Sequence, residues 1–138
     1  MSKKPLFIIT LISFILLLTA CQTTANTAER GPRRVSYGRL LAENQVNIER
    51  ISPGTSEQDV MKIMGLDSSR VKRTFITNPF KRDFFTVGNN QYEVLYYLTR
   101  PYPKFTAIRV SQATPVVIKN GRVVGIGASA LDRIRNEE

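Results

Sequence analysis

Among 138 residues there is one thiol, Cys21, and neither histidine nor tryptophan. A lone Cys excludes an intramolecular disulfide and any multi-thiolate zinc or iron–sulfur centre. Without His the chain lacks the side chain most used for proton transfer near neutrality, and Ser-His-Asp or Cys-His pairs cannot form. What remains is carboxylate chemistry. Glu57 and Asp59 fall at a helix start, Asp67 and Asp83 in turns, and Glu93 on a strand. Solvation or the helix dipole accounts for each of them, and no spacing places two together. Gly125-Ile126-Gly127 is too short for a phosphate loop and ends a strand instead of opening a long helix. These residues predict a protein that is not an enzyme and holds no metal or cofactor, apart from whatever becomes attached to Cys21.

Binding has more material. The chain carries 20 Lys and Arg against 11 Asp and Glu, and its 42% apolar content suffices for a core. Two segments, Asn78 to Phe85 and Arg100 to Phe105, interleave cations and aromatics around proline. Arg and aromatic groups are favoured at interfaces because they combine large buried area with a polar handle. Lys81, Arg82, Arg100, Tyr102 and Lys104 are therefore the candidate interaction surface. The alternative is that the aromatics are core and the cations a solvated rim around them.

The N-terminus predicts an address. Lys3 and Lys4 precede Leu6 to Leu18, an apolar stretch broken only by Thr10 and Ser13. That is the pattern of a secretory signal peptide. An uncleaved membrane helix is the alternative, although the stretch falls short of the ~20 residues that span a bilayer. Leu18-Thr19-Ala20-Cys21 resembles the lipobox of bacterial lipoproteins. The resemblance implies cleavage between Ala20 and Cys21, with an S-diacylglycerol and an N-acyl chain on Cys21. At ~0.8 kcal/mol per buried CH₂, two or three chains anchor stably where one does not. Gln22 in place of Asp implies, by the same resemblance, export to the outer membrane in preference to retention in the inner one. Removing residues 1–20 takes away Lys3 and Lys4 and leaves 18 basic against 11 acidic residues, a net +7.

Residues 22–36 are small and polar without apolar period, which predicts a flexible tether of ~20–23 Å average span. Arg30, Arg33 and Arg34 lie in it, either as a solvated linker or as a site of attraction to anionic lipid or lipopolysaccharide. Residues 37–138 then read as one domain. Leu40, Leu41, Val46, Ile48 and Ile51 predict a short amphipathic helix ending at Ser52-Pro53-Gly54. A second helix is capped by Ser56, or one residue earlier by Thr55 in a capping box with Gln58. Val60, Ile63 and Met64 form its apolar face and Gly65 stops it. Strands are predicted at Val71 to Ile76, Phe84 to Val87, Tyr92 to Thr99, Phe105 to Val110, Pro115 to Ile118 and Arg122 to Ile126. Asn120-Gly121 reads as a type I′ hairpin turn and Gly88-Asn89-Asn90 as a hairpin loop. Ala128 to Arg135 closes the chain as a short helix. Helices followed by strands predict an α+β domain, two N-terminal helices packed in two layers on an antiparallel sheet of three to five strands.

The run Ile51-Ser52-Pro53-Gly54-Thr55-Ser56-Glu57-Gln58-Asp59-Val60 … Met64-Gly65 resembles the SmpA/OmlA (BamE-like) family of outer-membrane lipoproteins. The matching positions are the turn Gly54, the Ser56 cap, Val60 and the helix-ending Gly65. The resemblance implies a non-catalytic module in outer-membrane assembly or maintenance, lipid-anchored, facing the periplasm and holding an envelope protein partner. Nucleic acid is excluded as a partner for a secreted, lipidated chain. A second reading is a binder of anionic lipid or glycan through Arg30, Arg33, Arg34, Lys81, Arg82, Arg100 and Lys104. Fold analogy alone adds a third, a periplasmic hydrolase inhibitor.

Overall fold

In the computed structural model, which describes residues 32–103 and 106–137, the densest run of aromatic and branched residues is the central strand. This strand, β4 (Asn90–Leu98), pairs with β3 (Lys81–Val87) on one side and β5 (Ala113–Lys119) on the other, and β5 pairs with β6 (Arg122–Ile126). All pairings are antiparallel. Both hairpins close where the sequence predicts, although the first loop is only Gly88-Asn89, with Asn90 already paired to Val87 in β4. Asn120 and Gly121 take φ of 51° and 72°, the positive values that a type I′ turn requires. Gly88, at φ 54°, occupies the first central position of the β3–β4 turn. A separate two-stranded sheet, β1 (Ser68–Val71) and β2 (Thr74–Thr77), precedes them.

Side chains alternate across β4, and both of its faces are buried. Tyr92, Val94, Tyr96 and Leu98 join a cluster with Leu40, Leu41, Val71, Ile76, Leu131 and Ile134. Leu95 and Tyr97 join Val60, Met64, Val116, Ile118, Val123 and Ile51. The first cluster brings in helix α1 (Tyr37–Ile48), the small sheet and helix α3 (Ala128–Arg135). The second brings in helix α2 (Glu57–Met64). The class is α+β, with the N-terminal helices against an antiparallel sheet, and cover is supplied on both faces. Gly125 permits the α3 crossing: a Cβ there would lie 2.9 Å from the Cβ of Ala130.

Three expectations are corrected. Val71 to Ile76 is not one strand; Lys72, at φ 54°, and Arg73 turn the chain between β1 and β2. Of the strand expected from Phe105 to Val110, residues 106–109 are irregular and Val110–Gln112 is a single 3₁₀ turn. Val46 is 64% exposed, off the buried stripe of α1 that Leu40, Leu41 and Asn44 define. Pro115 lies inside β5, where its carbonyl accepts from the Gly127 N–H (2.8 Å). Its missing donor thus faces the point where β6 has ended, so no ladder bond is lost.

Two buried asparagines tie these layers together. Asn44 Nδ2 donates to Asn78 Oδ1 (3.1 Å) and to the Leu98 carbonyl (2.8 Å). Asn78 Nδ2 donates to Asn44 Oδ1 (2.9 Å) and to the Met64 carbonyl at the end of α2 (2.8 Å). The pair therefore joins α1, the last turn of α2, the approach to β3 and the end of β4. The Asn78-Pro79 peptide bond is cis.

Candidate interaction surface

The motif residues are structural. Ser56 Oγ accepts from the Asp59 N–H (3.1 Å) and caps α2. Thr55, the other candidate cap, accepts instead from the Ser52 N–H (3.2 Å). Hydrogen bonds from Ser56 and Lys62 hold the Asp59 carboxyl below its ordinary pKa. Val60 is fully buried. Gly65 ends α2 at φ 71°, and its N–H donates to the Met61 carbonyl (3.0 Å). Gly54, at φ 91°, donates its N–H to the Val123 carbonyl (2.8 Å) and accepts from Arg122 (3.0 Å).

The candidate interaction residues are divided. Lys81 is bound to Asp83 (2.6 Å). Arg82 lies 2.9 Å from Glu93 and 3.7 Å from Glu57. Burial pushes Glu93 above the ordinary carboxylate range, and Arg82 opposes that shift. Tyr97 is pushed up by burial as well, and its hydroxyl donates to the Met61 sulfur (3.6 Å). Tyr102 is half-buried edge-on to Tyr37, ring centroids 5.4 Å apart. Arg100 is exposed. Lys104, Arg30, Ala20 and Cys21 lie outside the described residues.

Arg33 is not a free linker charge. Its guanidinium bridges Asp67 (2.7 Å) and Glu43 (3.0 Å), and that contact holds the Asp67 carboxyl below its usual range. Backbone bonds from Val35 N–H to the Ser68 carbonyl and from Ser68 N–H to the Arg33 carbonyl, both 2.8 Å, lay this segment beside β1. Ser36 then caps α1 by accepting from the Arg39 N–H (3.3 Å). Among the described residues, contact with the domain thus includes Arg33 to Val35, within the stretch expected as tether.

Docking of that segment assembles a surface that sequence reading missed. On the β1–β2 hairpin Arg70 faces Phe75 across the pair, with Ile76 and Val71 buried on the other side. The Arg34 guanidinium lies 5.9 Å from the Phe75 ring centroid. Lys72 and Arg73 form the tip. Arg34 and Arg70 thus flank Phe75, itself 52% exposed, while Lys72 and Arg73 are exposed at the tip, where the Lys72 ammonium lies 5.8 Å from the Tyr102 ring centroid. Among the described residues none of these four belongs to an ion pair. The available signal was Lys72-Arg73, a dibasic pair inside an apparent strand. Behind the hairpin a cavity of about 290 Å³ is lined by Val71, Lys72, Thr74, Phe80, Tyr102 and Ile108, among others. Among the described residues no group of three or more Asp, Glu or Cys could hold a metal ion, and no helix is long and apolar enough to cross a membrane.

A family described as a protein of unknown function (DUF3192) matches residues 21–133, and the chain belongs to that family. No curated protein and no solved structure matches the chain.

Proposed function

We propose that the protein is a lipid-anchored, non-catalytic interaction module of the bacterial envelope, held at the outer membrane through Cys21. Its domain faces the periplasm and serves assembly or maintenance of that membrane together with a protein partner. The lipobox-like Leu18-Thr19-Ala20-Cys21 and the resemblance to SmpA/OmlA supply the anchor and the class. One structural observation carries the reading into the folded domain. The cations Arg34, Arg70, Lys72 and Arg73, without acidic partners among the described residues, gather at the β1–β2 hairpin that bears the exposed Phe75, beside the docked segment Arg33–Val35. Eleven residues lie between Cys21 and Arg33, a reach of roughly 20 Å for a flexible coil. A surface so tethered meets anionic headgroups: cations supply ~1 kcal/mol each near such a surface, and an aromatic ring settles at the interface.

Two measurements test this. Cys21→Ala should abolish the lipid-sized mass increment and release the chain from membranes; unchanged mass and association would remove the anchor. Because the chain has no tryptophan, Phe75→Trp introduces a single reporter. In full-length protein added to vesicles, its emission should shift to the blue with phosphatidylglycerol present and not with phosphatidylcholine alone. Raising salt to 1 M, where the screening length falls to ~3 Å, should reverse the shift. An equal response to both lipids would refute the headgroup contact.

A further inference from the structure

The two edges of the main sheet are treated differently. The outer edge of β6 is occupied by the segment before α2. Gly54 N–H donates to the Val123 carbonyl (2.8 Å), Val123 N–H to the Thr55 carbonyl (2.9 Å), and Glu57 N–H to the Gly121 carbonyl (2.9 Å). Strand β3, at the other end, pairs among the described residues with β4 alone, over seven residues without a register shift. Its two-residue turn closes on the Val87–Asn90 pair. Alternation of antiparallel pairs then directs the backbone groups of Val87, Phe85 and Asp83 toward β4 and those of Thr86, Phe84 and Arg82 outward.

Edge strands of this kind are ordinarily guarded by uncompensated charge, a bulge or proline. Here Pro79 precedes the strand, and the charges of Lys81 and Arg82 are matched within the chain by Asp83 and Glu93. At the centre stands Phe84, 60% exposed on the face that α2 covers. The buried cluster beneath α2 includes no residue of β3, so among the described residues the ring lies outside that core.

We propose that this edge pairs with the same edge of a second copy, antiparallel, about a two-fold axis through Phe84. In that register Phe84 faces Phe84, Asp83 faces Phe85, Arg82 faces Thr86 and Lys81 faces Val87, so no like charges meet and all seven residues pair. The outward groups of Arg82, Phe84 and Thr86 find partners, and the two phenyl rings lie together on one face. Other two-fold registers that keep the bonding phase do worse. Centring on Asp83 or Arg82 opposes like charges, and centring on Phe85 shortens the paired stretch to five residues. The result is an isologous interface and a continuous eight-stranded sheet.

Cysteine crosslinking of the full-length protein in membranes tests the register. Directly opposed hydrogen-bonded residues have Cα atoms ~5.5 Å apart, within disulfide range. Phe84→Cys under mild oxidation should therefore give a disulfide dimer roughly tenfold above Val46→Cys, an exposed control on α1, because specific pairing raises the local thiol concentration. The wild-type chain, whose one thiol is Cys21, sets the background. In detergent the wild type should have the mass of a dimer and Phe84→Lys that of a monomer with an unchanged circular dichroism spectrum. Crosslinking no greater than in Val46→Cys, or a Phe84→Lys variant that stays dimeric, would overturn the proposal.

Discussion

Replacing Asn78 with alanine should cost the domain about 3–5 kcal/mol. Asn78 is 4% exposed, and its amide supplies the hydrogen bond to Asn44 Oδ1 and to the Met64 carbonyl. Alanine would orphan both acceptors in a site from which water is excluded, at ~1–3 kcal/mol each, and would leave a small void besides. Asn44 would retain its bond to the Leu98 carbonyl, so α1 would still be held to β4 at one point. Urea unfolding of the compact unit Gly31–Glu138, followed by far-ultraviolet circular dichroism, measures the loss. With a slope of about 2 kcal/mol per molar, the midpoint should fall by roughly 2 M. Asn44→Ala alone should be costly for the same reason. The double variant should cost less than the sum of the two by ~1–3 kcal/mol, because neither amide is then left to face an empty site. A midpoint shift below about 0.5 M at unchanged slope, or strict additivity, would show that the pair does not bind the layers as argued.

Two further outcomes follow from the packing and the charges. Gly125→Ala would set a Cβ 2.9 Å from Ala130 Cβ and 3.3 Å from Ile134 Cδ1. It should lower stability by ~1–3 kcal/mol as α3 is pushed off β6, seen as a lower urea midpoint. Arg33 holds the folded-state pKa of Asp67 below its unfolded value, so the pair contributes stability that is present above about pH 4 and lost as pH falls through the folded value. Asp67→Asn should therefore flatten the decline of the urea midpoint between pH 5 and pH 3; an unchanged slope would show that the pair adds nothing.

The elements that local chemistry dictates were legible in the sequence. Asn120-Gly121 names its own turn, and Ser56 with Gly65 brackets α2 because a cap and a stop are properties of single residues. The helix from Ala128 to Arg135 was placed to the residue. What escaped depended on distant partners. Lys72-Arg73 turns without any Gly, Asn, Asp or Pro, so the bend between β1 and β2 carries no mark in the residue types. Nothing in the sequence marks Asn44 and Asn78 as buried, since the partner that lets each be buried lies 34 positions away. Arg82 reads as interaction surface or solvated rim because Glu93 and Glu57 come beside it only once β3 and β4 have paired and α2 has docked. The basic hairpin needed Arg34 and Phe75 in one place, a juxtaposition made by the pairing of Arg33–Val35 with Ser68.

That same pairing bears on how the domain meets mechanical load. A pull transmitted along the chain from residue 32 arrives first at the two bonds between Val35, Ser68 and Arg33 and at the Arg33 ion pairs. These contacts lie at the rim, ahead of the Ser36 cap and well ahead of Leu40 and Leu41 in the core. They share no residue with the asparagine pair or the main sheet, so their loss leaves both sets of bonds in place. With the N-terminus held as proposed, the docked segment would be a sacrificial clip, the first part of the fold to take up drag on the chain.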